Sequence, residues 1–321
     1  MSIRLTADGL VFCAKDLTSS ARSKAWQKRY WWRLMTRRML FITLCLMSPL
    51  LLQAIPQNPH MAHLEDYLRV RSDLSGDDSV MHIQGRVYAM IPQEKTLQLF
   101  AVEGYHISRV EQVEGGYRLL SREILLFKDH RTRQIFMNWR NPLNGKTLPV
   151  MHILNDPVNH SYAYEDHMMP YIRQIIPSEE LADARVYHSE IFPYHPSLLP
   201  RRDFSANVQS DYFQAAEIAS YRAQKDALAD SSLTSVPAQF DWTWISPWLP
   251  FMEMADREGQ LLFVCRGEKL PGGFPALPSD IRNFVIRENE EFSEAPLIWE
   301  DTKINPWSYY RSLFIIEEDE E

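Results

Sequence analysis

Three cysteines and 11 glycines in 321 residues are few, and each shortage excludes something. The cysteines are Cys13, Cys45 and Cys265. No CxxC pair exists to hold a zinc ion, and the segment after residue 54 keeps only Cys265, which cannot form an internal disulfide. Cys265 sits in the apolar run QLLFVC and reads as a core thiol. The glycines form no GxGxxG or phosphate-cradling loop, and Gly-x-Ser-x-Gly is also missing. Nucleotide cofactors and a serine hydrolase of the usual kind are therefore disfavoured. No cofactor is expected. The chain also has few basic residues outside its first 38. Those 38 carry nine Lys/Arg and two Asp/Glu, or +7, and subtracting this from the net −8 leaves −15 for the remainder. An acidic body repels phosphate backbones, so no nucleic-acid partner is expected.

Charge is absent altogether from residues 39–54, MLFITLCLMSPLLLQA, which Arg37 and Arg38 precede. The run has the length of a secretory apolar segment and is short for a spanning helix of about 20 residues. Residues 35–54 read as an export signal, with a membrane anchor as the alternative, and TRRMLF partly matches a twin-arginine signal. Residues 1–34 read as an overextended N-terminus. The expected location is periplasmic or secreted, touching a membrane only through this segment.

The body, residues 60–321, reads as one β-rich domain. A short helix is expected over MAHLEDYLRVRS, with Leu64, Tyr67 and Leu68 on one face. Alternating β-formers then follow in VMHIQGRVYAMI, TLQLFAVEGYHISRV, YRLLSREILLF, QIFMNW and TLPVMHILN, separated by the turns QEK, VEGG, KDHRTR and NPLNGK. With no helical pattern between them, an antiparallel meander closing into a barrel or sandwich is expected. Further helices are expected in SEELADARVY and from Ser279 in LPSDIRNFVIREN, and another strand in EGQLLFVCRGEKL.

The blocks SRE, W-x-NP-x-NGK, V-x-HILNDPVN, SPWLPFMEM, GEKL and EAP, in this order over roughly residues 65–310, resemble the bacterial and fungal domain-of-unknown-function family eighteen-thirty-eight. That resemblance implies no activity. Its members often bear export signals. By analogy of strand pattern, the fold expected is a lipocalin-like barrel with a few flanking helices.

Candidate chemistry gathers at the turns of Ser121–Asn159. Glu123, His152 and Asp156 are the acid/base candidates. Arg122 and Glu123 are neighbours on a strand and so point to opposite faces; one of them enters a barrel interior. Arg122, Asn141, Asn155 and Asn159 are candidate polar contacts to a ligand, and Trp139 and Trp248 candidate apolar ones. Each has a plainer reading as a turn former, an ion-pair member or a core side chain. His152, Asp156, His160 and His167 match no established metal-ligand spacing, and no metal site is assigned to them. Two functions follow: binding of an apolar or aromatic small molecule in a barrel cavity, or a lyase, hydratase or isomerase acting on such a molecule through an acid/base pair. An interaction module with a filled core is the third reading.

Overall fold

The computed structural model describes residues 59–163, 176–301 and 304–314, all within the compact unit Asn58–Glu321. The export-signal reading at 35–54 and His167 lie outside the described residues.

Helix α1 (Pro59–Arg71) opens this unit, followed by three long strands, β1 (Ser79–Met90), β2 (Leu97–Val113) and β3 (Gly116–Lys128). Next come β4 (Asn138–Arg140), β5 (Thr147–Pro149), β6 (Ile153–Asn155), β7 (His160–Ala163), β8 (Ser178–Glu180), β9 (Ala184–Ile191), β10 (Tyr194–Pro196), β11 (Tyr212–Gln214) and β12 (Ala216–Gln224). Short helix α2 (Lys225–Ala229), strands β13 (Ala238–Ser246) and β14 (Gln260–Lys269), and helices α3 (Ser279–Glu288) and α4 (Pro306–Ser312) complete it. Most of the expected strands appear, but QIFMNW contributes only Asn138 and Trp139 to β4, and TLPVMHILN divides into β5 and β6. The segment SEELADARVY is a correction: it forms β8 and β9 rather than a helix, because β9 pairs along its length with β12 and buries Ala184 and Tyr187. Tertiary pairing here overrides a helix-like local sequence.

The main sheet is wholly antiparallel and has ten strands, in the order β6-β3-β2-β1-β14-β13-β12-β9-β8, with β7 also on β3. Two meanders, β1–β2–β3 and β12–β13–β14, are joined by pairing the first strand with the last. Among the described residues no hydrogen-bonded ladder closes the sheet into a barrel. The sheet is nevertheless strongly curled, because α1 touches strands near both ends: Tyr67 packs against Tyr162 of β7 (5.9 Å between rings) and Tyr187 of β9 (5.4 Å), and Tyr117 of β3 donates to Glu65. Close backbone approach permits the curl. A Cβ on Gly104 would lie 1.9 Å from the Ile124 carbonyl oxygen, and one on Gly85 2.4 Å from that of Val264. A register shift between Val87 and Tyr88 adds a bulge, which sharpens local twist.

Period-two alternation sorts the side chains into two cores. The concave face holds Val87, Phe100, Phe127, Trp242, Phe263 and the buried side of α1. The convex face of β1–β3 carries Val80, Tyr105, Ile107, Ile124 and Leu126, covered by Ile281, Phe284 and Val285 of α3. Lys128 is buried between the two layers, 2.7 Å from both Glu103 and Asp280.

Candidate functional site

The concave face is not filled. A cavity of about 180 Å³ remains. Its floor is strand residues of the main sheet, Glu123 and Asn155 at one end and Glu217, Trp242 and Trp244 at the other; its rim includes His195 and Phe213 of the β10–β11 hairpin, Leu198, and Trp307 of α4. Registration explains the floor. Asn155, Glu123, His106 and Met81 lie in one lateral row across β6, β3, β2 and β1. Glu217, Trp244, Phe263, Val87 and Phe100 form another across β12, β13, β14, β1 and β2. Glu123 and Glu217 thus stand five strand steps apart along the sheet, and only its curl brings them to one cavity.

Each carboxyl has a thin set of partners. The Asn155 side-chain amide donates to Glu123 Oε2 at 3.4 Å, and the indole N–H of Trp242 donates to Glu217 Oε1 at 3.0 Å. Both acids lie deep, yet both keep some accessible surface, since they face the cavity. Burial pushes the Glu123 carboxyl up from its ordinary 4.5 to about 7, and the charge of Glu217 adds to this. Glu217 is raised by burial as well, against the hydrogen bond from Trp242. Desolvation penalises the ionised form of each, and two like charges near one another penalise it further. Among the described residues, Arg71 of α1 lowers both, His106 of β2 stands opposite Glu123 in register, and Cys265 of β14 feels the Glu123 charge. The Arg71 guanidinium donates to the Tyr221 hydroxyl and lies over the Tyr221 ring, 4.5 Å from its centroid. His106 is fully buried with no hydrogen-bond partner on Nε2, and burial holds it well below its ordinary value, hence neutral. Burial also pushes the Cys265 thiol up to about 12, in keeping with a core thiol.

The aromatic wall is continuous. Trp242 and Trp244 stack at 5.8 Å and 20°, Trp307 meets Trp244 edge-on at 6.4 Å and 80°, and Phe213 meets Trp307 at 4.8 Å and 74°. Trp307 is fixed by the capping box at the start of α4, where the Asn305 side chain accepts from Trp307 N and Ser308 N.

Of the residues singled out in the sequence, Glu123 and Asn155 line this cavity. Alternation places their neighbours elsewhere. Arg122 points to the convex face, where it pairs with Asp156 at 2.8 Å and donates to the Glu291 and Glu294 carbonyls. Asp156 is further held by a reciprocal backbone bridge to Ile304, and its bond to Pro157 is cis. His152 lies at the sheet edge between Phe127 and Phe284, accepts the Phe127 amide on Nδ1 at 3.1 Å, and is lowered by burial to about 4. Asn159 accepts the Ser121 amide and donates to the Glu300 carbonyl. Asn141, fully buried, donates to the Met252 carbonyl, while Trp139 packs on Phe100 at 4.6 Å. The indole N–H of Trp248 donates to the Arg257 carbonyl at 2.9 Å. These seven hold strands, turns and helices together outside the cavity lining.

Sequence reasoning missed Glu217, His195, Phe213, Asn305 and Trp307. Glu217 left a signal: in AEIASYRA, alternation puts it on the same face as Ala219 and Tyr221, so a lone acid rides an otherwise buried face. Among the described residues no group of three or more His, Cys, Asp or Glu side chains is arranged to hold a metal ion. A family model described as "Protein of unknown function (DUF1838)" matches residues 76–314. No curated protein matches the chain.

Proposed function

We propose, from the premise that the chain belongs to this family of proteins of unknown function, that the curled sheet is a lipocalin-like cup that binds an apolar or aromatic small molecule. One observation carries the reading: a cavity of about 180 Å³ walled by Trp242, Trp244, Phe213 and Trp307 and floored by two carboxyls with few partners. An apolar protein cavity of about 150 Å³ takes up benzene, so this volume suits one ring with substituents. Largely preformed concave sites with a few convergent polar groups are the usual form of small-molecule sites. Export to the periplasm or beyond, supported by the uncharged run at 39–54, belongs to the same proposal.

The test is titration with the uncharged single-ring probe tert-butylbenzene, followed by tryptophan fluorescence. Saturable one-site binding is expected, weakened at least tenfold by Leu198→Trp, which fills the mouth. Absence of binding, or full binding by the variant, overturns the assignment. A second reading, proton transfer on the bound molecule, is favoured by Glu123: a carboxyl still protonated near neutrality beside a second carboxyl is suited to general acid/base work.

A further inference from the structure

The interior around the cavity is one positive charge short. Glu123 and Glu217 both face it, and among the described residues the only permanently charged cation acting on them is Arg71, whose guanidinium is engaged with the Tyr221 hydroxyl and ring. His106 is held neutral by burial and cannot supply the missing charge. His195, on the half-open rim, is tied through Nδ1 to the Pro196 carbonyl and stacks on Phe213 at 5.1 Å. Among the described residues the cavity lining contains no lysine or arginine. Without a ligand, the deficit is met by a proton left on the carboxyl pair. With a ligand, a cation resting among the indole faces meets it equally well, because indole presents its negative face to a cation and desolvation strengthens the attraction.

We propose that the natural ligand is an organic cation, an amine or quaternary ammonium carried on an apolar or aromatic body, whose charge sits between Glu123 and Glu217 against Trp242, Trp244 and Trp307. This deepens the small-molecule reading and rests on it. It has a consequence that an uncharged ligand lacks: the incoming cation expels the proton held by the carboxyl pair, chiefly that of Glu123. Affinity for a permanent cation then falls as pH drops below about 7, by up to tenfold per pH unit. An uncharged molecule of the same shape shows no such dependence.

Phenyltrimethylammonium and tert-butylbenzene have the same shape and differ by a nitrogen cation in place of a carbon, and they are the probes. Their binding to the full chain is followed by tryptophan fluorescence at pH 5, 6, 7 and 8, and proton release is read by calorimetry in two buffers of different ionisation enthalpy. The expected result is at least tenfold tighter binding of the cation at pH 8, release of roughly one proton at pH 6, and loss of both on Glu123→Gln. Glu217→Gln is the second variant, expected to reduce the cation preference similarly, and circular dichroism checks that each variant folds. Equal affinity of the two probes overturns the cation assignment while leaving the small-molecule cavity standing. If the neutral probe binds and the cation does not, the assignment is likewise overturned. If neither binds, the cavity reading fails and the cation assignment falls with it.

Discussion

Glu123 offers a direct measure of what the buried carboxyl pair costs the fold. Its folded-state value lies near 7 and its ordinary value is 4.5, so the ionised form is disfavoured in the folded protein. Below pH 4.5 the group is protonated in both states and no penalty arises. Between pH 4.5 and 7 the unfolded chain releases the proton and the folded chain keeps it, so stability is progressively lost. Above 7 the loss is complete. A difference of this size corresponds to about 3 kcal/mol. Part of the carboxyl surface opens on the cavity, where solvent screens the charge, which reduces this to about 1.5–2 kcal/mol. Glu123→Gln keeps the shape and can still accept from Asn155. It is therefore expected to stabilise the protein by about 1.5–2 kcal/mol at pH 8, or roughly 3–8 °C in Tm for a unit of this size, and by nothing at pH 4. Thermal unfolding by circular dichroism of both proteins from pH 4 to 8 is the assay. A gain that is constant across the range, or a loss above pH 7, refutes the account of Glu123 as a desolvated acid near a second carboxylate. Repeating it in the Glu217→Gln background tests the coupling, since removing that charge should shrink the gain and make it level off at lower pH.

Other expectations follow from the same geometry. His152→Ala removes an acceptor from the Phe127 amide and a ring between Phe127 and Phe284, so denaturant unfolding should show a loss of about 2–4 kcal/mol while affinity for tert-butylbenzene stays within twofold. Lys128→Met removes one partner of Glu103, leaving His82 and Arg133, and should cost about 1–3 kcal/mol at pH 7, measured by urea unfolding. Glu103 itself is held down to about 2 by its hydrogen bond with His82, against the opposing effect of burial, and by Lys128; its stabilisation is present above pH 4.5 and lost as pH falls toward 2, so Glu103→Gln should be most damaging near neutrality and nearly neutral below pH 2. Gly104→Ala places a methyl 1.9 Å from the Ile124 carbonyl oxygen and should prevent β2 and β3 from packing, seen as poor soluble yield or a large fall in Tm.

Much of the architecture was legible along the chain because it is locally encoded. Strands β1, β2, β3 and β14 announce themselves by alternation, and α1 and α3 by apolar spacing and a proline-flanked start. Where pairing partners lie far apart, local signals misled. SEELADARVY carries helix-forming residues, yet β12 claims its second half as strand β9. The site was half legible for the same reason. Alternation predicted that one of Arg122 and Glu123 turns inward, and the structure decides that it is Glu123, since the convex side of β3 is where Asp156 and the turn after α3 receive the guanidinium. His152, Asp156 and Asn159 look like chemistry in the sequence because polar turn residues and polar catalytic residues are the same residue types. Their partners, amides and carbonyls distant in sequence, are invisible until the chain folds.

By itself the sequence determined the class of fold, the acidic balance of the body and the supply of Trp and Glu residues, since these depend on composition and on a period of two. Only the tertiary structure decided that β1 pairs with β14, and with it everything about the cavity. That single pairing joins two meanders into one sheet, the interior glycines let the sheet curl, and the curl carries Glu217 and Trp244 across to Glu123. Strand periodicity fixes which face a side chain takes. Which distant strand shares that face depends on burial summed over the whole chain, a quantity no local stretch contains.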